Sequence, residues 1–63
     1  MIDRKVLEDY CRNKSLVKIF TKNSYFFGFI KEVNQNSVKI INDKTNYSAS
    51  LDLDAIIEKL NLG

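Results

Sequence analysis

Four aromatic residues fall within five positions in Tyr25-Phe26-Phe27-Gly28-Phe29-Ile30, around one of the chain's two glycines. Aromatic rings beside lysines can stack unpaired bases while the cations meet phosphates. In a chain this small the same rings also serve as core or interface. The other chemistry-bearing residues offer less. Cys11 is the single cysteine and there is no histidine. A nucleophilic thiol therefore lacks its activating base, an internal disulfide is impossible, and a structural zinc site lacks ligands. Cys11 is expected to be a small buried hydrophobe. Asp52 and Asp54 stand two residues apart with no third ligand nearby, which fits a cap and turn better than a metal site. No glycine-rich phosphate loop is present. The chain reads as non-catalytic, with no cofactor and no metal.

Charge is distributed unevenly. Residues 1–31 carry seven Lys/Arg against three Asp/Glu, and residues 32–63 carry three against five, for a net charge of +2. A basic first half suits a phosphate backbone, although solvated lysines would look the same. The N-terminal Met1-Ile2-Asp3-Arg4-Lys5 is charged and is not followed by an apolar signal region. No apolar run approaches the roughly 20 residues of a membrane helix. A soluble, cytoplasmic protein without membrane association is expected.

With 63 residues the chain allows one domain. A chain of that size buries only roughly 60% of its unfolded surface. Without a disulfide or a metal, oligomerisation is the remaining support. Ile2, Val6 and Tyr10 recur every four residues, as do Leu7 and Cys11, so the spacing predicts a helix over about 3–13. Asp3 is its N-cap, Arg12 and Lys14 complement its C-terminal dipole, and Asn13 is the left-handed stop. Strands are predicted at Leu16–Thr21, Tyr25–Val33, Val38–Ile41 and Tyr47–Leu51, with asparagine-rich turns between them. Residues 52–60 read either as a capped helix or as a turn at Asp52–Asp54 followed by a strand from Ala55 to Glu58. Short strands with short turns point to a mainly β fold, a small five-stranded barrel over about 16–60 with an N-terminal helix. Gly28 is expected at a sharp bend of the second strand, where a Cβ would clash.

From Leu7 to about Leu60 the chain resembles the Sm-like family, and its Hfq branch in particular. Leu7-Glu8-Asp9-Tyr10 is similar to the Leu-Glu-Asn-Phe of that branch's helix. Val17-Lys18-Ile19-Phe20-Thr21-Lys22-Asn23-Ser24 resembles its first strand and Asn-Gly turn. Gly28, Ile30 and Asn34 fall where the Sm1 pattern places Gly, an apolar residue and Asp. Leu53-Asp54-Ala55-Ile56 lies where Hfq carries Lys-His-Ala-Ile. The resemblance implies a ring of six or seven protomers in which Tyr47–Leu51 pairs with Ala55–Glu58 of the next subunit. It also implies single-stranded RNA as a partner.

Several RNA-binding positions of the family are altered. The proximal equivalents are Asn34, Gln35, Asn36, Leu53 and Asp54. Asn36 replaces a stacking aromatic, Leu53-Asp54 replaces Lys-His, and Ser24 replaces the turn glycine. The Sm2 Arg-Gly pair is also missing. Other positions are retained. Phe20 matches an aromatic of the distal face, Arg12 and Lys14 match part of the basic rim, and Lys22 and Lys31 add charge nearby. Three readings follow. One is a homo-oligomeric ring, hexamer or heptamer, binding RNA weakly or by the distal face or rim. Another is a protein-interaction module without RNA, either an SH3-like barrel or an Sm ring recruited to a partner. The third is a monomeric α+β domain with a C-terminal helix.

Overall fold

The computed structural model describes residues 3–63; Ile2 of the predicted helical stripe lies outside the described residues. Helix α1 spans Arg4–Arg12. Asp3 caps it in an extended conformation, its side chain accepting a hydrogen bond from the Lys5 backbone N–H at 2.9 Å, which satisfies one of the orphan donors of the first turn. The other end departs from expectation. Asn13 keeps right-handed backbone angles, and Lys14 takes the left-handed conformation at φ 53°. Lys14 N–H donates to Cys11 O and Ser15 N–H to Tyr10 O, at 3.2 and 3.0 Å. This is a Schellman closure, in which the left-handed residue comes one place after the cap. The helix thus uses a lysine where asparagine or glycine would be less strained.

Five antiparallel strands follow: β1 Leu16–Thr21, β2 Tyr25–Val33, β3 Ser37–Asn42, β4 Tyr47–Asp52 and β5 Ile56–Asn61. They form one sheet in the order β4-β3-β2-β1-β5. A single 3-10 turn, Leu53–Ala55, joins β4 to β5. The helical alternative for residues 52–60 is therefore overturned. Residues 56–61 instead pair antiparallel with β1, Phe20 opposite Glu58 and Lys18 opposite Leu60, with Ile56 buried in the core. Asp52 precedes the turn without a side-chain cap bond, so its predicted capping role is also incorrect.

Alternation builds the core. Val17 and Ile19 of β1, Ile30 of β2, Val38 and Ile40 of β3, Leu51 of β4 and Ile56 of β5 are buried together with Leu7 of α1. Tyr10 and Cys11 pack against this cluster only partly buried, so Cys11 is less enclosed than expected. The helix thus closes one side of the curved sheet. Gly28 sits within β2 at φ 155°, and a Cβ there would overlap the backbone carbonyl of Ile41 and come within 3.1 Å of the Asn42 Cα. The expected clash of a Cβ holds, and what forbids a side chain is the neighbouring strand's backbone. A second irregularity follows at once, since the β2–β3 register shifts between Ile30 and Glu32 and leaves Lys31 in a bulge. Bulges add local twist and help a sheet curl.

Strands β4 and β5 are the two edges of the sheet, each paired on one side only. Among the described residues no helix is long and apolar enough to cross a membrane.

Candidate nucleic-acid interface

The alternation that buries Val17 and Ile19 turns Lys18 and Phe20 to the outer face of β1. Register completes that face. Phe20 lies opposite Tyr25 and Lys18 opposite Phe27 on β2, while Glu58 and Leu60 of β5 flank Phe20 and Lys18 on the other side. Tyr25 is 59% exposed and Phe27 42%. The aromatic run of β2 therefore divides. Phe26 packs against the core, Phe29 is half-buried, and Tyr25 and Phe27 face solvent. The core reading thus fits Phe26 and does not fit Tyr25 and Phe27.

The Phe20 and Tyr25 rings stand 6.4 Å apart, tilted by 48°. The Lys18 ammonium lies 4.4 Å from the Tyr25 ring centroid and 5.2 Å from that of Phe20. Both distances fall within cation–π range, a contact of about 0.5–1 kcal/mol at an exposed site. A cavity of about 300 Å³ adjoins the cluster, lined by Ser24, Tyr25, Phe26, Phe27, Ile40, Asn42, Thr45 and Tyr47. Tyr47, 57% exposed, thus brings a further ring to the same end of the sheet. Sequence reasoning did not single out Lys18 or Tyr47. The signal for Lys18 was its even-numbered spacing with Phe20, opposite the buried odd positions of β1.

The remaining basic candidates do not gather on this face. Lys22 is exposed in the β1–β2 turn and Lys31 in the bulge toward the far end of β2. Lys14 borders a small cavity with Phe29, Ile30 and Asp43. Arg12 closes α1 and donates to Asp9 at 2.9 Å, with both side chains more than half exposed. Such a pair contributes only about 0.3–0.5 kcal/mol, yet it commits part of the arginine's charge within the helix. Arg12 also borders a cavity with Glu8, Cys11 and Val33, so two carboxylates share the rim with it.

The proximal equivalents partly converge. Gln35, Asn36, Leu53 and Asp54 line a cavity of about 650 Å³ together with Asp3, Arg4 and Asp52. The Leu53 N–H donates to Asn36 O at 2.9 Å, tying the β2–β3 turn to the β4–β5 turn. Asn34 takes another role, its amide donating to Glu32 Oε1 at 3.0 Å and Ser37 Oγ at 3.4 Å. Three carboxylates against one arginine make this mouth repel phosphate. Among the described residues no group of three or more His, Cys, Asp or Glu could hold a metal ion. Arg4 and Asp3 were not read as part of this mouth from sequence, because only the packing of α1 brings its first turn to the two loops.

No family model matches the chain, and no curated protein matches it in sequence. Its structure is similar to a crystal structure of Hfq, described as a pleiotropic translational regulator. The TM-score is 0.78 at 22% identity, over 97% of this chain and 98% of that one. At that identity the likeness concerns the backbone, and here it covers helix, strands and turns alike. The chain therefore has the Sm-like fold of Hfq, mainly β, with five antiparallel strands in one sheet and an N-terminal helix.

Proposed function

We propose that the protein is a non-catalytic, ring-forming RNA-binding protein that takes single-stranded RNA on the outer face of β1 and β2. The observation that carries this reading is the Lys18–Phe20–Tyr25 cluster on an open sheet face. Rings offer stacking worth about 1–3 kcal/mol per base, and every base has a face to stack. The neighbouring lysine suits a phosphate. The acidic mouth argues against RNA there, and its Asn36 can bond a base edge but not stack.

The ring is supported by the two unpaired edges. Strand β4 of one protomer would pair with β5 of the next, covering backbone groups that are otherwise left open. Ile57 and Leu60 of β5 are exposed apolar residues that such pairing would help cover. Six or seven protomers are expected. Light scattering after size exclusion tests the assembly, and binding of an A-rich single strand at low salt, with and without Phe20→Ala, tests the site. An intact ring that binds no RNA at low salt overturns the reading.

A protein-interaction role without RNA is the second reading, favoured by the carboxylates Asp3, Asp52 and Asp54 at the mouth. Partners captured from extract would then survive nuclease treatment, and partners lost with nuclease would count against it.

A further inference from the structure

We propose that Lys18 is a mobile cation of the stacking site. It occupies the faces of Phe20 and Tyr25 in the free protein and moves to the RNA backbone when bases take its place. This inference rests on the RNA reading above. The geometry supplies the competition. Stacked groups pack at about 3.5 Å, and the Lys18 ammonium lies 4.4 Å from the Tyr25 centroid, within reach of the layer a base would fill. The two rings are tilted 48° to each other, so they do not stack face to face, and the same cation lies within reach of both.

The charge is available for transfer. Of the ion pairs among the described residues, Arg4 with Glu8 and Arg12 with Asp9, neither involves Lys18. Its half-buried stem stands between Phe27 and Leu60 in register, which anchors the aliphatic part and leaves the ammonium to swing. Glu58, opposite Phe20 on β5, disfavours a phosphate on that side and so directs the backbone toward Lys18. Lys18 is thus a positioning residue. It covers the ring faces when the site is empty and sets the path of the strand when full.

The test titrates the full-length protein with an A-rich single-stranded RNA across about 50–200 mM salt. The proteins compared are the unsubstituted chain, Lys18→Met, Lys18→Gln, Lys18→Arg, and the double variant Phe20→Ala/Tyr25→Ala. A lost phosphate contact lowers the salt slope by about 0.7 for a single strand, so Lys18→Met and Lys18→Gln should lose about 2.5-fold less affinity over that range. Lys18→Arg should restore the slope. The Tyr25 ring protons should shift upfield on binding in the Lys18 variants as in the parent, showing that bases still stack. An unchanged slope in both neutral variants, with the ring shifts present, overturns the Lys18 proposal and leaves the stacking site standing. Absence of binding by the parent, or undiminished binding by the double aromatic variant, overturns the RNA reading itself.

Discussion

The two ends of this small sheet have opposite chemistry. On the outer face of β1 and β2, Lys18, Phe20, Tyr25 and Phe27 combine a cation with open rings. At the mouth beside α1, Asp3, Asp52 and Asp54 surround Gln35, Asn36 and a single arginine, Arg4. Both regions hang on the same framework, and neither is part of the buried core. The difference teaches that an Sm-like backbone leaves its loops and outer faces free to change charge independently. The fold is read from the buried alternation. The ligand must be read face by face.

The outer face depends first on β2 keeping its register, with Tyr25 and Phe27 on one face and Phe26 and Ile30 on the other. Gly28→Ala attacks the strand where it passes closest to β3. A side chain at φ 155° against the Ile41 carbonyl should cost about 3 kcal/mol or more, from backbone strain and overlap together. Urea denaturation would measure it, and a loss under about 1 kcal/mol would show that the strand can relax.

The next effect falls on the outer face. Phe20→Ala or Tyr25→Ala should weaken binding of an A-rich single strand about 10-fold or more, with little change in folding, as one stacked base is lost. Fluorescence anisotropy at fixed salt checks this, and an equal loss from Asn36→Ala would blur the contrast between the two ends. Neutralising the mouth should do less. Asp52→Asn with Asp54→Asn is expected to raise RNA affinity by about 2- to 5-fold at low salt, with the gain fading as salt screens the repulsion. Isothermal titration at two salt concentrations reads the change, and a gain that persists at high salt would mean that RNA contacts the mouth directly.

The smallest effect separates rim from fold. Lys14 carries a left-handed conformation in the helix stop, so Lys14→Gly should stabilise the protein by about 0.5–1 kcal/mol. If Lys14 also touches RNA, the same variant loses affinity while its melting temperature rises. Thermal unfolding beside a binding curve tells the two roles apart.

Much of the fold was legible because β-branched and aromatic runs stand between turn residues at β1 and β2, whose bounds match the structure. Gly28 was legible because a glycine inside an apolar strand marks a place where a Cβ would clash. Residues 52–60 were not, since Asp, Ala, Glu, Lys and Leu favour a helix and only the register with β1, Phe20 opposite Glu58 and Lys18 opposite Leu60, overrides that propensity. Asn13 was chosen as the stop on residue type, but the closing bonds of Lys14 and Ser15 place the left-handed residue one position later. The site was legible in part. Phe20 could be singled out, but its partnership with Lys18 and Tyr25 depends on cross-strand register. Arg12 was legible as a basic residue, yet its engagement with Asp9 appears only with the helix in place.

The most direct test of the central claim is a backbone amide map of the protein titrated with an A-rich single-stranded RNA. The account predicts that shifts concentrate on Lys18, Phe20, Tyr25 and Phe27, and that Gln35, Asn36, Leu53 and Asp54 stay still. Shifts gathered at the mouth, with the outer face of β1 and β2 unmoved, would contradict it.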